Sequence, residues 1–184
     1  MKINDVLLIC LIGLLFFSCS SVKVNRGVTS NNVYYSDELP SVRIEIDKRF
    51  VYSPQHPVSQ RHNCEFFLDE KTKESVFIRI YHDNYAPEKS FSGKNMVNIE
   101  KLNILGKVFY VGTEIFKDYD GYYVKRIHLN YPDNRTMLVI MHTRPLSLYG
   151  DQYNWSKISS LTDKQNEIIG NFVNDNINYV NFIK

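Results

Sequence analysis

Three runs rich in β-branched and aromatic residues, 107–116, 122–129 and 136–142, are joined by turns of only a few residues. Strand-like segments that lie so close together have one simple arrangement, an antiparallel meander in which each pairs with the next. The first turn contains Asp120-Gly121, and a glycine there supplies the positive φ that a tight hairpin requires. The second contains Pro132, Asp133 and Asn134, residues whose fixed φ or self-bonding side chains end a strand. The third run is unbroken and apolar through Met137, Leu138, Val139, Ile140 and Met141, the pattern of a central strand covered on both faces.

Upstream, Val42, Ile44 and Ile46 alternate with Arg43, Glu45 and Asp47, which reads as a half-buried strand opening the domain near Leu39-Pro40. Pro54 and Pro57 then break regularity. Residues 64–68 and 75–81 flank a polar turn and form a second hairpin, and 83–98 read as a loop with one short helix. The period changes after Thr162, which with Gln165 makes a capping box; Ile168, Ile169, Phe172 and Val173 follow on one helical face. Residues 179–183 read as a short closing strand. The expected class is therefore α+β: an antiparallel sheet of five to seven strands with a C-terminal α-helix packed on one face. The order of hairpin, loop, meander with an Asp-Gly turn and capped helix, over residues 40–175, resembles the PsbP/Mog1-type domain. That resemblance implies a binding or accessory role and brings no catalytic residues with it.

The N-terminus has a different character. Residues 6–17 are apolar, a stretch of about 18 Å as a helix, short of the ~30 Å hydrocarbon core. A basic start, a short apolar core and small Ser18 before the cut describe a secretory signal. The sequence Phe16-Phe17-Ser18-Cys19 resembles the lipobox of bacterial lipoproteins, with Phe16 where Leu is usual. The resemblance implies cleavage after residue 18 and acylation of Cys19. In that family Ser20, rather than Asp, favours transport to the outer membrane, and the lack of an acidic run after Cys19 favours the periplasmic face. The expected organisation is a signal peptide over 1–18, a lipidated Cys19 with a flexible tether to residue 38, and one domain over 39–184.

Charge and cysteine content narrow the chemistry. A net charge of +2 argues against a nucleic-acid partner held by bulk charge. Of three cysteines, Cys10 leaves with the signal and Cys19 takes lipid, so Cys64 stands alone without an internal disulfide partner. His62 and Cys64 share a face only if that segment is a strand, and two ligands are too few for zinc. His128 and His142 lie on adjacent expected strands. Metalloprotease, serine-hydrolase, phosphate-loop and dinucleotide motifs are absent from the sequence, and no cofactor or metal site is expected. Aromatic side chains instead gather at the expected loops, among them Tyr81, Tyr85, Tyr119, Tyr122, Tyr123, Tyr149, Tyr153 and Trp155. Tyr and Trp combine large area with a polar tip, the chemistry of interface anchors. Segment 143–157 with Tyr149, Tyr153 and Trp155 is the candidate partner-binding loop.

Three functions fit this pattern. One is a lipid-anchored periplasmic accessory or binding protein, held to the membrane by its lipid and acting by protein–protein contact without catalysis. Another is an immunity-type lipoprotein that neutralises a toxin delivered into the periplasm. The third is a hydrolase pairing Cys64 with a histidine.

Overall fold

The computed structural model describes residues 25–82, 91 and 96–184. The expected signal segment and Cys19 lie outside these residues, as do Tyr85 and most of the loop expected at 83–98. Along the described chain run β1 (Arg26–Val28), β2 (Val33–Ser36), β3 (Val42–Ile46), β4 (Val51–Tyr52), α1 (Pro57–His62), β5 (Glu65–Leu68), β6 (Ser75–His82) and β7 (Met96–Ile104). They are followed by β8 (Lys107–Asp118), β9 (Gly121–Asn130), β10 (Thr136–Pro145), α2 (Asp163–Tyr179) and β11 (Val180–Ile183).

The strands make two antiparallel sheets. The larger has the order β4-β5-β6-β10-β9-β8-β7 and the smaller β1-β2-β3-β11. This overturns the single helix-backed α+β sheet expected from sequence: the fold is mostly β, two sheets face one another, and only two α-helices are present among the described residues. The reason is area. A 17-residue helix is about 26 Å long, whereas β8 with 12 residues runs to about 40 Å. One helix cannot cover strands of that length, and the alternating Val42, Ile44 and Ile46 pair with β2 and β11 to cover the remainder.

The core divides accordingly. Ile44, Ile46 and Tyr34 from the smaller sheet pack on Phe67, Ile78, Phe109, Val111, Leu138 and Ile140 of the larger one. Toward the other end of the same face, Ile115, Val124, Leu146 and Trp155 pack on Ile168, Ile169 and Phe172 of α2. The reverse face of the larger sheet holds a third cluster around Cys64, Phe66, Phe77, Leu129 and Val139. The capping box forms as read, with the Thr162 hydroxyl accepting from the Gln165 backbone and the Gln165 side chain accepting from the Thr162 backbone.

Two local expectations need correction. Residues 26–36, assigned to the tether, form β1 and β2, and Tyr34 is only 1% exposed. Burial pushes its phenol up to about 12. Residues 96–98, assigned to a loop, begin β7, the edge strand beside β8. Tyr34→Ala removes an aromatic ring from the core and lowers unfolding free energy by about 3–5 kcal/mol in urea titration. A loss near zero would return residues 26–36 to the tether.

Candidate functional site

The candidate site lies at the end of the larger sheet where β5 turns into β6, β8 into β9, and β10 into the short 3₁₀ segment Leu146–Tyr149. Its construction starts with the turn at 69–74. The Asp69 carboxylate accepts from the backbone of Lys71 at 2.9 Å, and Lys73 takes a positive φ of 60°. The Asp69 backbone N–H donates to the Glu74 carbonyl at 2.9 Å, closing the loop. The turn thus exposes Lys73 while Glu74 is buried.

Buried Glu74 meets an array of partners. Its Oε2 accepts from Arg144 Nε at 2.9 Å and from His142 Nε2 at 3.0 Å, and its Oε1 pairs with the Arg49 guanidinium. Arg144 also donates to Tyr149 Oη at 2.8 Å and to Asp175 of α2 at 3.0 Å. Asn176 donates to His142 Nδ1 at 3.2 Å, so the neutral imidazole carries its proton on Nε2, toward Glu74. Arg49 lies over the Tyr179 ring at 4.2 Å and bonds its hydroxyl at 3.2 Å. Burial alone raises the Glu74 carboxyl, but hydrogen bonds from His142, Arg144 and Arg49 outweigh it and hold it at about 2. Burial holds His142 below its ordinary value despite the nearby carboxylate. A carboxylate so fully engaged is a clamp between turn, sheet and helix rather than a free base.

Around this clamp a groove of about 240 Å³ opens, bordered by Lys71, Lys73, Asp120, Tyr122, Tyr123 and Leu148. Tyr123 donates to Asp120 at 2.8 Å and stacks on Phe116 at 5.5 Å, which stiffens the hairpin. At the hairpin tip Tyr119 is fully exposed, and Leu148 at the groove is half exposed. The arrangement offers apolar area and lysines on a rigid frame, a surface suited to a protein partner.

The three residues proposed from sequence are placed differently from one another. Trp155 is 4% exposed and belongs to the core against α2, so its ring is not contact surface. Tyr153 is half-buried, 5.7 Å from the Trp155 ring, and Tyr149 is half-buried with its hydroxyl on Arg144. Both pack against the cluster under α2, and neither lines the groove. Sequence reasoning missed Arg49, Glu74 and Arg144. One signal was available: His142 and Arg144 stand two residues apart at the end of an otherwise apolar strand, where they must share the covered face.

Cys64 is buried, its Sγ 3.8 Å from the Val58 carbonyl, and burial pushes its thiol up to about 11. A buried thiol held protonated is a poor nucleophile. His128 and His142 do lie on paired strands, but His128 sits opposite Ile140 and stacks toward Phe182. Among the described residues, no group of three or more His, Cys, Asp or Glu is placed to hold a metal ion.

The sequence matches no protein-family model and no curated protein. Among solved structures it is similar to the crystal structure, at 1.50 Å, of a protein from Bacteroides thetaiotaomicron VPI-5482, with a TM-score of 0.41 and 9% identity. The match covers 56% of this chain and 38% of that one, so the chain spans well under half the length of that protein.

The buried histidines and Glu74 couple protonation to stability in one direction. Burial lowers His128 to about 3 and lowers His142 as well. Unfolded, both return toward 6.5, so the unfolded chain binds more protons and stability falls as pH drops below that value. The slope is up to about 1.4 kcal/mol per pH unit for each histidine. The Glu74 contribution, intact above its unfolded value of 4.5, is lost as pH falls through about 2. Urea midpoints measured between neutral and mildly acidic pH show this decline, and His128→Leu makes it shallower. Glu74→Gln removes the buried carboxylate that Arg144 and Arg49 share, leaving them only Asp175 and Asp69 as anions, and costs about 1–3 kcal/mol at neutral pH.

Proposed function

We propose that the chain is a lipid-anchored accessory protein of the bacterial envelope, acting by protein–protein contact. In this reading acyl chains on Cys19 hold it at the periplasmic face of the outer membrane, and the groove-bearing end meets a protein partner. The observation that carries the contact role is the fully exposed Tyr119 at the tip of a hairpin stiffened by Phe116–Tyr123 stacking, whose Asp120, Tyr122 and Tyr123 border the same groove as Leu148 and two lysines. An exposed aromatic on a stiff frame loses little side-chain entropy on binding. The lipobox supports the anchor, because each buried methylene adds about 0.8 kcal/mol and more than one chain makes attachment stable.

Intact-mass measurement of the mature protein gives an acyl adduct at Cys19, and Cys19→Ala moves the protein out of the envelope fraction. A photo-crosslinking residue at position 119 gives a discrete adduct in intact cells, and the same residue at exposed Ile177 on α2 does not. Leu148→Asp reduces the adduct at 119 severalfold. Identical adduct patterns from both positions would remove the contact role of this end.

A further inference from the structure

The opposite end of the molecule carries a second surface. The chain enters here: Asn25 is tied to Asp37 by a backbone bond and by its side-chain amide, both at 3.0 Å. Sheet register places Arg26 beside Ser36, Ser36 beside Val42, and Arg43 beside Ile183, so the entry point and both last strands end together. Between them and the β7–β8 turn lies a cleft of about 340 Å³. Phe182, Ile104, Leu105 and Val42 give it an apolar lining; Arg43, Lys107 and Lys184 are its charged side chains. Among the described residues, no acidic side chain lines it. Among the described residues these three cations make no ion pair.

Large aliphatic side chains stand in solvent at the same end: Leu39 is 63% exposed, Leu105 48% and Val108 41%. Leu105 is held there at a backbone cost. It and Gly106 occupy the β7–β8 turn with φ of 51° and 78°, a tight turn that favours Asn or Gly at both places. A leucine in the left-handed region is disfavoured locally, and the result is an aliphatic chain pointed outward among lysines.

We propose that this end docks on a bilayer containing anionic phospholipid, with Leu39 and Leu105 entering the interface and Arg43, Lys107 and Lys184 meeting headgroup phosphates. Charge complementarity and the place where the chain enters select a bilayer as the occupant. Cys19 precedes Asn25 by only six residues, about 20 Å at full extension, so acyl chains on Cys19 bring this end to the membrane. That last step rests on the proposed anchor; the surface itself does not. Aliphatic side chains interleaved with lysine and arginine are the composition of an interfacial membrane surface.

The test uses the chain from residue 20 onward, which lacks Cys19 and retains every described strand and helix. It cosediments with vesicles of phosphatidylethanolamine and phosphatidylglycerol and not with pure phosphatidylcholine. Lys107→Glu with Lys184→Glu weakens binding about tenfold or more. Leu105→Asn suits the turn better, so it keeps or raises thermal stability while weakening vesicle binding, which separates docking from folding. Equal binding by wild type and Leu105→Asn, no binding to the anionic vesicles, or full release by inorganic phosphate alone overturns the proposal; the last outcome marks a small-anion site. An acyl adduct at Cys19 without vesicle binding overturns only the docking. Vesicle binding without an adduct supports the docking and overturns only the anchor.

Discussion

The inner face of the larger sheet changes its cover partway along, from the smaller sheet to α2, and the line of change is polar. Thr113, Arg126 and His142 stand in one register row across β8, β9 and β10. Arg126 donates to Thr113 at 2.9 Å and pairs with Glu100, while His142 hands its proton toward Glu74. Thr113, Arg126, His142 and Glu74 are removed from water, where an unpaired donor or charge is costly, while Glu100 reaches Arg126 from the exposed side. The 69–74 turn, the larger sheet and α2 are therefore held at one mutual placement. A shift of α2 along the sheet separates Asp175 from Arg144 and Asn176 from His142. Apolar packing alone tolerates sliding more readily than a set of directional bonds does.

This explains how much was legible from sequence. The meander and the helix cap were readable because their signals are local: Asp120-Gly121 for the hairpin, Thr162 with Gln165 for the cap. The second sheet was not, because its assembly joins β3 to β11 across more than a hundred residues, and no local period encodes that pairing. Strands β1 and β2 are three and four residues long, too short to show an alternation. Residues 57–62 escaped notice because Pro57 reads as a breaker, yet a proline at the first helical position is favourable, and His56 caps the turn through its ring nitrogen.

The candidate site was half legible for the same reason. An aromatic-rich set of loops at one end of the sheet was visible, but which rings face out depends on what α2 covers. Trp155 falls under the helix and becomes core, whereas Tyr119 projects past the last backbone pair of its hairpin, Asp118 with Gly121, where nothing covers it. The Glu74 clamp was hidden because its members are widely spaced in sequence, from Arg49 to Asp175.

The strands also fix the relation between the two surfaces. Lys107 opens β8 at the chain-entry end and Asp118 closes it below Tyr119, so one continuous strand of 12 residues, about 40 Å, separates them. Strand β9 runs antiparallel alongside over nearly its whole length, and β10 continues the ladder, so the separation cannot shorten without breaking backbone bonds. A contact that orients the cleft end toward a bilayer therefore turns the Tyr119 end away from it, into the space where another protein is met. A lipid at Cys19, as proposed, would fix a point of attachment and not a direction. Orientation would need a second attachment on the body itself, and the docking we propose places it at the exposed leucines and at the cleft cations, which make no ion pair among the described residues.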